Sequence, residues 1–367
     1  MATITGTNRA ETLAGTIEDD VIYGLNGDDT ITGDAGNDII YGGNGDDRLD
    51  GGDGADILWG GNGRDTLIGG VGDILHGEGG DDSFILTSTK RPGVEAFGGS
   101  GDDDFSSSQN FSIHMTLHGD AGRDSFTFGF LQASHLDGGD GADRFDIDFM
   151  SSGFVAGDNG NDIIRIGIGF GEIRGGNGDD EITVNGAKST AYIFGDAGDD
   201  RISVGGGHAV VEGGDGDDYI SAGYDRILSS ELNGGAGRDV LVSRGTHTLN
   251  GGDGHDVLES CGYGNTLTGG EGADRFVYDQ LFSRDTIVAD TITDFSLKTR
   301  DVLDLSGVLD SVGASSDPFG DGWISFVQVD GSTEVLLDRD GGGDSFHTLV
   351  ILQGVELTRQ DIGNYIV

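Results

Sequence analysis

The chain has 367 residues, of which 66 are acidic and 20 basic, so its formal net charge is -46 at pH 7. So large a negative charge argues against nucleic acid as a partner, because phosphates would be repelled, and it makes cations the expected partners. Cys261 is the single cysteine, which excludes an intramolecular disulfide and a metal site built from several thiolates. The first seven residues have no basic start and no apolar run, so we expect no cleaved N-terminal signal.

The chain opens on a strict nine-residue repeat. From Gly6 to Ile68 seven units follow one another without a gap, and each begins with glycine. The sixth position of these units carries an acid: Glu11, Asp20, Asp29, Asp38, Asp47, Asp56 and Asp65. The eighth position is always apolar: Leu13, Ile22, Ile31, Ile40, Leu49, Leu58 and Leu67. An eight-residue unit, Gly69 to His76, then displaces its acid to Asp73, and the next unit restores the pattern with Asp82.

Beyond Ile85 the glycine-rich motif recurs once every 17 to 21 residues. Its sixth position is aspartate throughout: Asp103, Asp124, Asp143, Asp162, Asp180, Asp200, Asp218, Asp239, Asp256 and Asp274. A second apolar series lies two residues before most of these motifs: Leu117, Leu136, Val155, Ile173, Ile193, Val211, Leu232, Leu249 and Leu267. One half of each double unit has therefore lost its glycine turn and kept its strand.

This pattern predicts an all-β fold, a right-handed parallel β-roll or β-solenoid with a C-terminal β-rich cap. Glycine-rich stretches make tight turns, and each x-apolar-x triplet makes a very short strand, so two turns and two strands close one coil. Stacked coils would form two parallel sheets with the apolar residues between them. We expect three regions: the regular roll at 1–85, a roll with one motif per coil at 86–277, and the cap at 278–367.

The acids of successive coils should stack about 5 Å apart and repel one another unless cations lie among them. Calcium fits because it takes six to eight oxygens in irregular geometry and accepts main-chain carbonyls, whereas magnesium requires a stricter octahedron and zinc prefers nitrogen or sulfur. The alternative is that these aspartates are ordinary solvated turn formers. We predict as metal ligands Asp20, Asp29, Asp38, Asp47, Asp56, Asp65, Asp82, Asp103, Asp124, Asp143, Asp162, Asp180, Asp200, Asp218, Asp239, Asp256 and Asp274.

The motif GGxGxDxUx, where U is apolar, resembles the calcium-binding nonapeptide of the RTX (hemolysin-type) family between residue 6 and about residue 277. The resemblance implies a parallel β-roll in which the aspartates and the turn carbonyls of two successive coils share each ion. Counting adjacent turns gives roughly sixteen Ca²⁺ ions. Glu11 and the shortened unit around Asp73 depart from the pattern.

After Phe276 the composition changes to longer alternating apolar runs, as expected of strands that cap the roll. The segments DTITDF, DVLDLS and VILQGVEL resemble the C-terminal region of type I secretion substrates, including serralysin-like proteins. That resemblance implies an uncleaved export signal read by an ABC transporter and an extracellular location; the alternative is a purely structural cap. Asn364 stands before the three terminal hydrophobic residues, where serralysin-like proteins have an acid.

No zinc-protease, nucleophile-elbow or phosphate-loop motif occurs in the chain, so we do not expect an enzyme. Aromatic and histidine residues in the half-coils without glycine turns could bind polysaccharide, although closure of the core is the favoured interpretation: Phe111, His114, Phe128, Phe130, His135, Phe149, Phe154, Phe170, Tyr192, His208, Tyr224, His247 and Tyr263. His114, His118 and His135 could form a metal site, but packing is favoured there too.

The sequence thus predicts a secreted protein that folds on binding calcium outside the cell, with a surface, matrix or polysaccharide-binding role. The alternatives are a polysaccharide-active enzyme or accessory module, and a membrane-active or channel-forming protein.

Overall fold

The computed structural model of the protein describes residues 1–87, 92–107, 112–187, 189–224, 228–261, 264–279, 288–341, 345–358 and 361. The chain divides into two units, Met1–Val184 and Asn185–Val367, which are described separately below. Of the aromatic residues considered above, Phe111 and Tyr263 lie outside the described residues, as does the C-terminal stretch with Asn364.

Short strands separated by glycine-rich loops make up the first unit. Their length follows from the repeat, because only a few residues remain between one loop and the next. The strands are β1 (Thr3–Thr5), β2 (Thr12–Ala14), β3 (Val21–Asn26), β4 (Thr30–Thr32), β5 (Ile39–Asn44), β6 (Arg48–Asp50), β7 (Ile57–Asn62), β8 (Thr66–Gly69), β9 (Ile74–Gly79), β10 (Ser83–Leu86), β11 (Glu95–Ser100), β12 (Asp104–Ser107), β13 (Ser112–Ile113), β14 (Thr116–Ala121), β15 (Ser125–Asp140), β16 (Arg144–Asn159), β17 (Ile163–Asn177) and β18 (Glu181–Val184).

Each strand pairs in parallel with the equivalent strand of the next coil. One series runs β1, β3, β5, β7, β9, β11 and β14, and the other runs β2, β4, β6, β8, β10 and β12. Both series continue into β15, because its first half pairs with β12 and its second half with β14. The strands β15, β16 and β17 therefore run through the half-coil that lacks a glycine turn.

The second unit repeats the two parallel series. Its elements are β19 (Ala191–Ala197), β20 (Arg201–Val204), β21 (Ala209–Asp215), β22 (Tyr219–Ala222), β23 (Glu231–Gly237), β24 (Val240–Ser243), β25 (Thr248–Gly254), β26 (Val257–Ser260), β27 (Thr266–Gly272), β28 (Arg275–Val277), β29 (Asp290–Ile292), β30 (Val302–Asp304), α1 (Ser306–Val312), β31 (Ile324–Val329), β32 (Ser332–Asp338) and β33 (Phe346–Leu352). The cap begins where β33 adds in parallel to β29, and β31, β32 and β33 pair with one another antiparallel.

One apolar side chain per strand forms the core between the two sheets. In the first unit, Ile22, Ile40 and Leu58 line one sheet and Ile31, Leu49 and Leu67 the other, all fully buried. Further along, four phenylalanine rings stack in the core at centroid distances of 4.5 to 4.7 Å: Phe84, Phe105, Phe126 and Phe145. The predicted all-β fold and parallel β-solenoid are confirmed. Within the described residues, no helix has the length and apolar character needed to cross a membrane.

Candidate metal-binding loops

The acids at the sixth loop position form ordered rows. In the first unit the long row consists of Glu11, Asp29, Asp47, Asp65, Asp82, Asp103, Asp124, Asp143, Asp162 and Asp180, and the short row of Asp20, Asp38, Asp56 and Asp73. The second unit has one row, made of Asp200, Asp218, Asp239, Asp256, Asp274 and Asp301. Along each row the main-chain N–H of one acid donates to Oδ1 of the next, as from Asp29 to Asp47 at 2.7 Å and from Asp200 to Asp218 at 2.8 Å.

These carboxylates are buried. Every aspartate predicted as a metal ligand is between 0 and 2% exposed. A turn-forming aspartate that is simply hydrated would keep its oxygens in water, so the solvated-turn alternative is wrong. A buried charge needs a partner of opposite sign or several hydrogen bonds.

The second carboxylate oxygen lacks such a partner in most of the loops. Oδ1 accepts the N–H described above, but Oδ2 is buried with no hydrogen-bond partner at Asp29, Asp38, Asp47, Asp56, Asp65, Asp82, Asp103, Asp124, Asp143, Asp162, Asp218, Asp239 and Asp256. An oxygen of this kind costs free energy unless a cation or a donor reaches it. Each of these loops thus offers a strong ligand atom to a cation.

The electrostatics of the rows follow from this burial. Desolvation raises the pKa of Asp124 to about 8, although the N–H of Asp103 acts in the opposite direction. The same cause, with a smaller contribution from neighbouring carboxylates, raises the pKa of Asp65 to about 7 and that of Asp218 to about 7. The ionised rows are therefore unfavourable without added positive charge.

Glycine at the first loop position is required by a close approach. A Cβ placed on Gly119 would lie closer than 3.0 Å to Oδ2 of Asp124 and to the carbonyl oxygen of Gly138, and Gly213 is in the same position relative to Asp218 and Gly234. A carboxylate oxygen and a main-chain carbonyl oxygen thus face the same side of each such glycine. Both are ligand types that calcium accepts.

Main-chain oxygens are essential to any such site. Across the described part of the chain, no three side chains of His, Cys, Asp or Glu are arranged to hold a metal ion. The donor set that remains, one carboxylate oxygen with carbonyls of the glycine turns, suits an oxygen-preferring cation such as Ca²⁺.

Four of the row-end acids, Glu11, Asp20, Asp73 and Asp301, accept hydrogen bonds from residues a few positions before them in the chain. The carboxylate of Glu11 accepts hydrogen bonds from the N–H of Thr7 at 2.6 Å and from its hydroxyl at 2.8 Å. In the same way, Oδ2 of Asp20 accepts hydrogen bonds from the N–H and the hydroxyl of Thr16, each at 2.8 Å. A third end lies in the shortened unit, where Oδ2 of Asp73 accepts the N–H of Gly70 at 2.6 Å. The fourth is Asp301, whose Oδ2 accepts the N–H of Ser296 at 2.8 Å. Sequence reasoning noted that Glu11 and the unit around Asp73 depart from the motif but missed these hydrogen bonds; at Glu11 and Asp20 the signal was threonine at the second loop position.

A second feature is a ladder of rings on the outer face of the first unit, of which the sequence had indicated only His118, His135 and Phe154. This ring ladder consists of Tyr23, Tyr41, Trp59, His76, Phe97, His118, His135 and Phe154. Centroids lie 5.0 Å apart for Tyr23 and Tyr41 and 3.8 Å apart for Trp59 and His76. The signal was an aromatic residue at the ninth position of alternate units.

The half-coils without glycine turns hold a mixed set of aromatic residues. Phe128 and His247 are buried, as core closure predicts, whereas Tyr192 and Tyr224 are exposed. In the second unit a ladder of buried polar side chains replaces the aspartate row on this side. The N–H of Ser230 donates to Nδ1 of His247, that of His247 to Oδ1 of Asn265, and that of Asn265 to Oδ1 of Asp290.

Comparison with known families agrees with this geometry. Four segments of the chain, residues 5–40, 41–73, 194–223 and 250–280, match the RTX calcium-binding nonapeptide repeat. A search of curated proteins finds no match to the chain.

Proposed function

We propose that this chain, which carries RTX calcium-binding repeats, is a secreted protein whose loops fill with Ca²⁺ outside the cell and which folds as they do so. The observation that carries the proposal is the row of buried Oδ2 atoms without a hydrogen-bond partner, repeated from coil to coil. Calcium supplies the missing positive charge at these oxygens when it binds.

The chain's own residues supply the binding groups. In the loops whose Oδ2 has no hydrogen-bond partner, Oδ1 accepts the N–H of the preceding coil, so stacking of the coils turns each of these carboxylates toward the cation as the chain folds. The glycine turns expose carbonyl oxygens on the same side. We retain the full set of ligands predicted from the sequence in this proposal except Asp20, whose Oδ2 accepts two hydrogen bonds from Thr16.

The charge balance explains why folding should depend on calcium. With a formal net charge of -46, the chain without cations repels itself and favours expanded conformations. Extracellular calcium-binding modules commonly have dissociation constants of about 0.1 to 1 mM. Folding linked to many such sites is then steep in calcium concentration, with the chain unfolded in a low-calcium cytosol and folded outside the cell.

A calcium titration followed by circular dichroism tests the proposal. We expect β-structure to appear cooperatively between micromolar and millimolar calcium, to vanish in EGTA and not to be restored by magnesium. The matched variants are Asp56→Asn and Asp53→Asn, which remove the same charge from one loop. Asp56 is fully buried, whereas Asp53 is exposed.

Asp56→Asn should raise the calcium concentration at the folding midpoint, and Asp53→Asn should leave it nearly unchanged. A chain that is equally folded in EGTA and in calcium would contradict the proposal. So would equal shifts for the two variants, because the effect would then come from net charge alone.

The export route is a further part of the proposal. The resemblance of residues 278–367 to type I secretion substrates supports passage through an ABC transporter, and a chain that folds only in calcium stays unfolded until it emerges. Expression of the full chain with and without a type I transporter tests it. Accumulation in the medium without the transporter would reject this route.

The most specific part of the proposal is that the protein binds a cell surface, a matrix or a polysaccharide. The ring ladder supports it, since Tyr23 and Tyr41 are each 36% exposed on the outer face. The rings cover one another's faces, so sugar would meet ring edges and hydroxyl groups. A glycan array probed with the calcium-loaded chain and with Tyr23→Ala/Tyr41→Ala tests this role. Equal glycan binding by the unaltered chain and the variant would show that the ring ladder is not the binding surface.

A further inference from the structure

Loops inside the rows differ in backbone conformation from several of the loops at the row ends. In the interior loops the second residue is in the left-handed region even when it is not glycine, as for Leu25 at φ 87°, Glu78 at 74° and Asp158 at 70°. Such a conformation is unfavourable for a side-chain-bearing residue. The fold around these loops therefore imposes the conformation.

Three row-end loops of the first unit, those of Glu11, Asp20 and Asp73, lack this conformation. Thr7, Thr16 and Gly70 occupy the same second position and are not in the left-handed region. Their N–H groups donate to the acid of their own loop instead. A left-handed second residue and an unpartnered Oδ2 at the sixth position thus occur together in ten loops of the first unit, such as those of Asp29, Asp38 and Asp162, and neither occurs in the loops of Asp20 and Asp73.

In the first coil, hydrogen bonds satisfy both carboxylate oxygens of Asp20, whereas the next acid of the row has one oxygen without a partner. Asp20 is as buried as Asp38, the next acid of the short row, and each is 1% exposed. Oδ1 of Asp20 accepts the N–H of Ala2, and Oδ2 accepts two donors from Thr16. Oδ2 of Asp38 has no partner. Two neighbouring carboxylates of one row thus differ in whether they need a ligand.

We infer that the loops of Glu11 and Asp20 form a cation-free end coil, in which Thr7 and Thr16 take the place of calcium, and that the loops of Asp73 and Asp301 end their rows in the same way. This inference rests on the proposed function, because it assigns calcium to the interior loops only. Thr7 and Thr16 are then the residues that set where the two calcium rows of the first unit begin. Asp20 caps the short row and is not one of its ligands.

The calcium count of single variants tests the assignment. Native mass spectrometry of the full chain in calcium resolves each added ion, and the matched pair is Asp20→Asn and Asp38→Asn. Asp38→Asn should carry at least one ion fewer than the unaltered chain, whereas Asp20→Asn should carry the same number. Loss of an ion from Asp20→Asn as well would overturn the inference.

A gain-of-site variant decides the matter if Asp20→Asn fails to fold, as circular dichroism would show. Thr16→Gly/Glu18→Gly gives this loop the glycines found at the second and fourth positions of interior loops such as that of Gly43 and Gly45. It should bind one additional ion, and an unchanged count would overturn the inference. The proposed function fails separately, if the unaltered chain binds no calcium at all.

Discussion

The main-chain N–H of Asp103 donates to Oδ1 of Asp124, 2.8 Å away and one coil further along the chain. The same direction holds for Asp124 and Asp143 at 2.7 Å. Each carboxylate thus has two separate tasks: Oδ1 joins neighbouring coils, and Oδ2 is left for a ligand. Asparagine preserves the first task and removes the second, which is why it is the informative substitution in these rows.

Gly119→Ala should destabilise the calcium-loaded protein by about 2 to 3 kcal/mol, because the new methyl group meets Oδ2 of Asp124 and the carbonyl of Gly138 closer than 3.0 Å. Urea unfolding at fixed, saturating calcium measures the change. Gly129→Ala is the control, since a Cβ there meets nothing within 4 Å. Equal stability of the two variants would show that the close approach at Gly119 does not matter.

Leu25→Gly should stabilise the protein by about 0.5 to 1 kcal/mol, since it removes a leucine from the left-handed region at φ 87°. Ile17 is an exposed apolar residue of the preceding loop and is not in that region. Ile17→Gly should therefore lower stability by a similar amount through the entropy of the unfolded chain. Thermal unfolding of both variants in calcium measures the two effects, and shifts of the same sign would refute this reading.

Asn265→Leu should cost about 3 kcal/mol, because Oδ1 of Asn265 accepts the N–H of His247 at 2.7 Å and the hydroxyl of Ser243 at 2.8 Å in the buried interior. The variant should keep its calcium count, since this ladder lies apart from the aspartate rows. Asn250→Leu is the control, as Asn250 is half-buried and its amide donates to Asn233 at 2.9 Å in a partly buried ladder. A reduced calcium count in Asn265→Leu would contradict the separation of the two ladders.

Cys261 should report folding through its reactivity. Burial, aided by the nearby carboxylate of Glu259, raises the pKa of the thiol from 9.0 to about 11. A higher pKa means less thiolate at pH 8, so alkylation should be about a hundredfold slower in calcium than in EGTA. The rate of iodoacetamide labelling measures this, with the urea-unfolded chain as reference. Equal rates in calcium and EGTA would mean that the coil around Cys261 is folded, or unfolded, regardless of calcium.

The periodicity of the sequence predicts the fold wherever the same physical requirement recurs in every coil. Ile31 and Leu49 are buried and Asp29 and Asp47 lie in one row because a period of 18 residues places them at the same point of successive coils. The fold followed from this repetition alone. Assignment of the aspartates as calcium ligands remains a prediction that the geometry supports.

Features that break the period could not be predicted in the same way. Thr16 looks like a mismatch to the motif, and only the hydrogen bonds to Asp20 show that it completes the loop. The ladder through Ser230, His247 and Asn265 uses three different side chains for one task, so no repeating letter marks it. In this ladder the side chains share only one property, an acceptor atom within hydrogen-bond distance of the main-chain N–H of the preceding coil. Residue identity alone does not reveal that property.

Trp59 lies between the rings of Tyr41 and His76 in the first unit, and Trp323, the second of the two tryptophans in the chain, belongs to the second unit. Each unit thus contains its own fluorophore. Trp59→Phe and Trp323→Phe would each leave a single tryptophan, whose emission, excited selectively, follows the assembly of the unit that contains it in real time. Stopped-flow mixing with calcium could then tell whether the two halves assemble together or in sequence.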